Sequence, residues 1–579
     1  MPAQLQISVG QYSDKGRKVI NQDFHGVLVP DGPLLGMKGI AVVLADGISS
    51  SAVSQVASES AVKSFLTDYY CTSETWSVKT SAQRVIAATN SWLHAQTRQS
   101  RFRYDPDKGY VCTFSAVVFK GNGAHLFHIG DARIYRISGA SAEQLTEDHR
   151  VYVSPEQSYL GRGLGVNPQV EIDYLNCEID RGDVFLLTTD GVHEFITPRF
   201  MAATVQNNAD DLDRAARLLA EEAYGNGSDD NLTVQIVRID ALPQGSNADL
   251  PARISALPPA PLLEARMIFD GYRIVREIHA SSRSHIYLAE DVESGDRVAL
   301  KTPSIDLRDD ADYLRRFMTE EWIARRIDSP HVLKPLPQSR RRSHLYVAME
   351  YVDGQTLTQW MIDHPKPDLE EVRVIVEQIA AGLRAFHRKE MLHQDLRPQN
   401  ILIDRTGTVK IIDFGSVRVA GVAELSRHGQ DNDILGTVQY TAPEYFTGQG
   451  GSPQADQFSL GVIAYQMLTG HLPYGARLAQ AKEKYRKSRL RYVSAAEHNP
   501  VIPVWVDRAL QRAVNLDQAK RYESLSEFLF DLRHPNARYL DTRPVPLMAR
   551  NPLLFWKCLS LLLALVIVLL LARLRGVGL

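Results

Sequence analysis

Apolar positions over the first 240 residues fall into short runs divided by polar turns. Residues 40–44, 114–119, 125–129, 184–188 and 232–239 are aliphatic or β-branched runs of strand length. Residues 51–70 and 211–224 bring an apolar side chain round at every third or fourth place, which predicts helices. Many strands with few helices predict an α+β sandwich. Between 241 and 266 there are five prolines and no sustained period, so this stretch is expected to be an extended, semi-rigid spacer. Beyond it, strand-like segments cluster up to Glu350 and helical patterns dominate from Leu369 onward. That order predicts a small sheet-rich lobe followed by a larger helical one. A second linker, 538–552, leads to a final stretch, 553–572, that carries a single charge, Lys557. At about 1.5 Å per residue it is long enough for a hydrocarbon core of about 30 Å, so a single transmembrane helix is expected over 553–573.

Composition adds little by itself but excludes several classes. The chain has 579 residues, 44% hydrophobic and 23% charged, which is ordinary folded material in more than one domain. The net charge of −3 gives no electrostatic reason to expect nucleic acid. It is also a cancellation. Residues 1–240 hold 21 basic and 29 acidic side chains, whereas residues 266–579 hold 43 basic and 37 acidic, so two domains with different ligands are expected. Four cysteines with no CxxC argue against a disulfide framework or a zinc site. The first ten residues have no basic region followed by an apolar run, so no secretory signal is read there.

The acidic surplus has a pattern. Asp23, Asp46, Asp131, Asp190 and Asp230 stand beside glycine or asparagine, and Asp46, Asp131 and Asp190 directly follow apolar strands (AVVLAD, LFHIGD, VFLLTTD). Carboxylates gathered at one rim of a sheet are hard oxygen ligands, suited to Mg²⁺ or Mn²⁺. Two such ions roughly 3.5–4 Å apart can activate a water for in-line attack on phosphate. A single Asp-Gly is more often a turn; five in register tip the balance.

In order, Ser13-Asp14-Lys15-Gly16, Asn21-Gln22-Asp23, Ala45-Asp46-Gly47, Gly130-Asp131-Ala132-Arg133, Asp190-Gly191 and Asp230-Asn231 resemble the type 2C metal-dependent serine/threonine protein phosphatases across residues 1–240. The resemblance implies an αββα sandwich. It implies that Asp46, Asp190 and Asp230 hold a first metal, that Asp46 and the Gly47 carbonyl hold a second with Asp23 nearby, and that Asp131 serves a weaker third. The phosphate-gripping residue, usually arginine in that family, is best matched by Lys18, with Arg17 adjacent. The glycines usual after Asp46-Gly47 are replaced by Ser49-Ser50.

Downstream, Val298-Ala299-Leu300-Lys301 ends a strand, and Glu320 lies on a predicted helix. His393-Gln394-Asp395-Leu396-Arg397-Pro398-Gln399-Asn400 is followed by Asp413-Phe414-Gly415. Phosphoryl transfer needs a positioned cation, metal ligands and a carboxylate to take the substrate proton, and these residues in this order offer all three. With a hinge at 349–352, Gly436-Thr437, Ala442-Pro443-Glu444 and Arg521 as the partner of Glu444, residues 267–537 resemble eukaryotic-type serine/threonine protein kinases as found in bacteria, of bilobal fold. The resemblance implies that Lys301 holds the ATP phosphates, Glu320 orients it, Asp395 is the base and Arg397 contacts phosphate. It implies that Asn400 and Asp413 ligate metal, and that Ile278, Ile286, Ala299, Glu350 and Val352 receive the nucleotide.

Two departures stand out. The phosphate-covering glycines are replaced throughout 279–285 (HASSRSH), and Gln394 stands where an arginine precedes the base. The expectation is a bifunctional, membrane-anchored enzyme using ATP, with one or two Mg²⁺ or Mn²⁺ ions in the kinase and two or three in the phosphatase. Its substrates are proteins bearing Ser/Thr or phospho-Ser/Thr, its own chain being a candidate, and its place is the inner membrane with both catalytic domains cytoplasmic. The competing reading is an active phosphatase fused to a dead, nucleotide-sensing or scaffolding pseudokinase.

Overall fold

The computed structural model describes residues 4–154, 157–243, 257–281, 283–307, 310–337, 340–424, 439–447, 451–475, 478, 490–536 and 552–574. In the N-terminal domain a pair of five-stranded antiparallel sheets lie face to face. The first runs Gln6–Asp14, Leu232–Ala241, Val184–Thr188, Arg133–Ser138, Ser141–Gln144. The second runs Asp173–Glu178, Gly123–Ile129, Phe114–Lys120, Ile40–Ala45, Phe24–Leu28. All five strand segments read from the sequence are present.

Strand Ile40–Ala45 shows why these runs are apolar without alternation. Ile40, Val42 and Leu44 join Val117, Phe185 and Val237 in a core between the sheets. Ala41, Val43 and Ala45 face the other way, against helices Ser54–Cys71 and Val78–Gln99. A strand buried on both faces has no polar side to show. Helices Pro198–Asn207 and Leu212–Gly225 cover the other sheet, with Ala216, Leu219 and Ala220 packed on Leu186, Val234 and Ile236. The result is the four-layer helix–sheet–sheet–helix order expected. Helix Val78–Gln99 is an addition. Its inward stripe includes Ser81, Thr89, Asn90 and Thr97 among Ala82, Val85, Ile86 and Leu93, so polar residues break the apolar period that would have revealed it.

The proline-rich spacer is shorter than its composition suggests. Residues 244–256 lie outside the described set, but Ala260 and Leu263 are buried with Tyr272, Ile274 and Tyr287. The Leu345 amide donates to the Pro258 carbonyl at 2.8 Å. The second half of the predicted linker therefore belongs to the next domain's core, because its leucines cover an otherwise open sheet face.

That domain begins with a five-stranded antiparallel sheet, Ile268–Phe269, Tyr272–Ala280, Ser284–Asp291, Arg297–Pro303, Val347–Glu350, with helix Ala311–Ala324 beside it. A helical lobe follows. Its long helix Leu369–His387 starts at a capping box formed by Asp368 and Glu371. It buries Val372, Ile375, Val376, Ile379, Leu383 and Phe386. Helix Pro453–Thr469 is buried on nearly every side and stops at Gly470, whose φ of 73° suits a glycine cap.

Gly436-Thr437 and almost all of 538–552 lie outside the described residues. Among the described residues no helix is long and apolar enough to cross a membrane. The single transmembrane helix expected over 553–573 is therefore not shown, although a helix, Pro552–Leu574, occupies that stretch.

Candidate active sites

Five strand ends deliver the aspartates of the first site. Asp46 leaves strand Ile40–Ala45 with its backbone clamped: its amide donates to the Thr113 hydroxyl at 2.9 Å, and its carbonyl accepts from the Thr113 amide at 2.7 Å. Asp131 leaves Gly123–Ile129 through Gly130, whose φ of 115° and proximity to Thr113 exclude a side chain. Asp190 opens the short helix Asp190–His193, and Asp230 and Asp23 stand just ahead of strands Leu232–Ala241 and Phe24–Leu28. At Gly47 an added Cβ would lie 2.9 Å from the Gln22 carbonyl oxygen, so only glycine lets the two loops close.

These carboxylates feel one another. Burial, then the charges of Asp23, Asp190, Asp131 and Asp230, push the Asp46 carboxyl well above its usual range. Burial and the charges of Asp131 and Asp230 lift Asp190 to about 7. Asp23 is lifted to about 6 by burial. One of its oxygens, Oδ2, accepts from the Thr189 and Thr233 hydroxyls at 3.0 and 2.6 Å. The other, Oδ1, is buried and has no hydrogen-bond partner among the described residues. Buried carboxylates that repel one another, one with an orphaned oxygen, fit a cation.

Two side chains supply positive charge. Arg150 reaches Asp131 at 2.7 Å and Asp190 at 3.0 Å, and also bonds Glu194. Lys18 lies 3.3 Å from Asp230 and donates to the Ser49 hydroxyl at 3.1 Å. Arg17 is turned away, bonded to the Ser228 carbonyl at 2.5 Å and stacked on Tyr224. Of the two adjacent cations, Lys18 is thus the one aimed at the cluster. With the carboxylates held this way, among the described residues no three of His, Cys, Asp or Glu stand grouped as a ready ligand set. Arg150, Thr189, Thr233 and Glu194 were not picked out from the sequence. The two threonines lay within recognised motifs, and the arginine directly follows the segment LTEDH at 145–149, which also matches the phosphatase pattern.

The second site is a cavity of about 1080 Å³ between the sheet lobe and the helical lobe. It is lined by every residue expected to take nucleotide or perform chemistry there: Ile278, Ile286, Ala299, Lys301, Glu320, Glu350, Val352, Asp395, Arg397, Asn400 and Asp413. Lys301 bonds Glu320 and lies 3.6 Å from Asp413. The Asn400 amide donates to the Asp395 carbonyl at 2.9 Å, and Arg397 stands 3.6 Å from the Asp395 carboxylate. At Gly415 a Cβ would sit 2.6 Å from Glu320 Oε1, so this glycine lets the loop pass beneath the lysine–glutamate pair.

A buried support holds the loop that carries Asp395. Asp456 accepts from the backbone amides of His393 and Gln394, both at 3.0 Å, and pairs with His387 at 2.9 Å. Gln394 and Asp413 adopt φ of 66° and 69°, conformations that cost non-glycine residues of order 1–3 kcal/mol each. Arg521 and Glu444 form the pair expected, bidentate at 2.7 Å and fully buried.

The glycine-free loop folds on itself. The Ser281 hydroxyl accepts from the Arg283 and Ser284 amides at 3.3 and 3.1 Å, and the Ser281 amide donates to the Ser284 carbonyl at 3.0 Å. Amides that could face a phosphate are therefore satisfied within the turn.

Residues 11–224 match the Protein phosphatase 2C family and residues 272–531 match the Protein kinase domain family. Among curated relatives, the serine/threonine-protein kinase PrkC of Bacillus subtilis is 29% identical over 272 residues, covering 47% of this chain and 41% of the relative. The serine/threonine-protein kinase PknA of Corynebacterium glutamicum is 33% identical over 213 residues, covering 36% of this chain and 45% of the relative. The chain thus spans less than half the length of these relatives. A solved structure of the Mycobacterium tuberculosis serine/threonine phosphatase PstP/Ppp is 24% identical with a TM-score of 0.34, covering 41% of this chain and 99% of that one. The chain joins a type 2C protein phosphatase domain to a serine/threonine protein kinase domain. Both families act on protein Ser/Thr residues and use Mg²⁺ or Mn²⁺, the kinase with ATP.

Proposed function

We propose that this chain writes and erases phosphate on protein serine and threonine from two separate sites. The observation that carries the kinase half is one cavity that gathers Lys301, Glu320, Asp395, Asn400 and Asp413 from four segments of the chain. Lys301, held by Glu320, takes the ATP phosphates as a fixed cation. Ile278, Ile286 and Ala299 enclose the base, and the backbone at Glu350 and Val352 offers it hydrogen bonds. Asp395 accepts the substrate hydroxyl proton as the Ser/Thr oxygen attacks the γ-phosphorus and the bond to the β-phosphate oxygen breaks. Arg397 lies close enough to neutralise charge on the moving phosphoryl group. Asn400 and Asp413 would supply the oxygen ligands for Mg²⁺ or Mn²⁺. The pseudokinase alternative loses ground because every reacting group is assembled, even though the phosphate-covering loop is closed on itself.

In the phosphatase half, Asp46, Asp190 and Asp230 would hold one divalent ion, Asp46 and the Gly47 carbonyl with Asp23 a second, and Asp131 a weaker third. When bound, such ions supply positive charge and a more acidic water. The chain's own residues orient this apparatus: Thr189 and Thr233 fix one oxygen of Asp23, and Thr113 fixes the backbone of Asp46. Lys18 grips the substrate phosphate as a point charge without the fork of an arginine. Arg150 would have to yield Asp131 and Asp190 to the ions.

The apolar tail, 553–573, is read as a membrane anchor with both catalytic domains on the cytoplasmic face. Its exposed leucines, Leu561 to Leu571, are compatible with lipid contact.

The purified chain is tested with a Ser/Thr protein substrate and ATP, and separately with a phosphoserine peptide and Mn²⁺. Transfer lost only in Asp395→Asn and hydrolysis lost only in Asp46→Ala support the reading, and either activity surviving its own substitution counts against it. Cell fractionation of the full chain and of a chain ending at residue 551 tests the anchor. The full chain should pellet with membranes and the shorter one should not.

A further inference from the structure

Among the described residues, the turn between helices Ser54–Cys71 and Val78–Gln99 of the phosphatase domain meets three segments that carry kinase chemistry. Glu74 pairs at 2.6 Å with Arg326, just past the helix that presents Glu320. The Ser77 amide and the Thr80 hydroxyl donate to Glu390 at 2.6 and 2.5 Å, three residues before His393. The Val78 amide donates to Glu424 at 3.0 Å, in the segment that follows Asp413-Phe414-Gly415. Two kinase carboxylates thus occupy the free amides at the start of a 22-residue phosphatase helix, where the helix dipole favours them.

Two independent features lead to the same contact. Lys120, at the end of strand Phe114–Lys120, is 1% exposed, and its ammonium donates only across the boundary among the described residues: to the Gly421 carbonyl at 2.6 Å and to Glu424 at 3.0 Å. A buried ammonium without such partners is costly, so the kinase domain answers a need built into the phosphatase strand. Gly421 is the reciprocal feature. It lies in the short helix Ala420–Ala423 with no positive φ, yet a Cβ there would come 2.7 Å from the Trp76 carbonyl oxygen and 2.8 Å from that of Glu74. The three nearest atoms are all carbonyl oxygens of the phosphatase turn, so it is the phosphatase backbone that asks for glycine here.

We propose that the phosphatase domain is a positioning element for the kinase, anchoring the base of its activation segment through Lys120, the Trp76–Val78 turn, Gly421, Glu390 and Glu424. This rests on the kinase reading above. In the docked arrangement Lys301 is paired with Glu320 and close to Asp413, so docking accompanies an assembled catalytic site.

The test uses the full chain carrying Gly421→Ala, Lys120→Met, or Lys120→Met with Glu424→Gln. Alanine suits a helix better than glycine, so Gly421→Ala blocks docking without weakening the kinase fold. Hydrogen exchange at 418–424 and 388–392 should quicken by about tenfold in Gly421→Ala and Lys120→Met, and less in the double variant, which leaves no unpaired charge. In an Asp46→Ala background, kinase kcat should fall by about tenfold with KM for ATP moving less than about twofold. Hydrolysis of p-nitrophenyl phosphate, measured without Asp46→Ala, should stay within about twofold of wild type. Unchanged exchange, or a kcat that is equal or higher, overturns the proposal. Exchange that responds while no variant or parent transfers phosphate upholds the docking and sinks the kinase reading alone.

Discussion

Lys301 stands 3.6 Å from Asp413 while it is bonded to Glu320, so one ammonium joins a strand, a helix and the Asp413-Phe414-Gly415 loop. Burial lifts the Glu320 carboxyl to about 7, while the neighbouring Glu320 and Asp413 keep Lys301 charged despite its own burial. Lys301→Met should therefore remove phosphoryl transfer by about a hundredfold or more in kcat/KM, and Asp395→Asn by at least as much. Steady-state kinetics on the full chain in an Asp46→Ala background check this. A Lys301→Met chain within about twofold of its parent would mean the cavity is not where transfer occurs.

Ser281 turns the loop over that cavity inward. Its hydroxyl takes the amides of Arg283 and Ser284, which leaves them nothing to give a phosphate. Replacing Ser281 and Ser284 with glycine frees these amides and lets the backbone approach more closely. KM for ATP should fall by about fivefold with a smaller change in kcat. An unchanged or raised KM would show that the closed turn is already the working form.

Asp46 sits among carboxylates that push its own pKa well upward, so a divalent ion should stabilise the phosphatase domain strongly. Mn²⁺ at about a hundred times its dissociation constant contributes about 2.7 kcal/mol. The phosphatase melting transition should rise with Mn²⁺ in the wild type and hardly move in Asp46→Asn. Without metal, Asp46→Asn should melt no lower than wild type, because it removes repulsion rather than a contact. Calorimetry with and without chelator reads both.

Arg521 meets Glu444 in a fully buried fork, and either residue alone would be an uncompensated charge. Glu444→Ala should cost about 3–5 kcal/mol in the unfolding transition of the kinase domain. A denaturant titration followed by tryptophan fluorescence measures it. A loss under about 1 kcal/mol would mean that water replaces the missing partner.

The features legible in the sequence were those where one residue type has one job. Strand Ile40–Ala45 is apolar on both faces because both faces are covered, and Asp46 follows it at the rim, where the carboxylates gather. The pairing of Arg521 with Glu444 was expected from the resemblance to protein kinases, and it is present. Helix Val78–Gln99 was not legible, since Ser81, Asn90 and Thr97 on its buried stripe dilute the period. Ala260 and Leu263 were hidden by the prolines around them, although their burial makes that segment belong to a core. Arg150 and Gly421 were not singled out. Each takes its meaning from residues far along the chain, and nothing in the local pattern announces the encounter.

Whether one chain carries two opposed activities is decided by a pulse and chase. The full chain is incubated with γ-labelled ATP and Mn²⁺, and the remaining ATP is then consumed with glucose and hexokinase. Protein-bound label should appear in wild type and decay during the chase with release of inorganic phosphate. Label should persist in Asp46→Ala and never form in Asp395→Asn. Absence of label in Asp46→Ala, or label that decays there as fast as in wild type, would contradict the two-site reading.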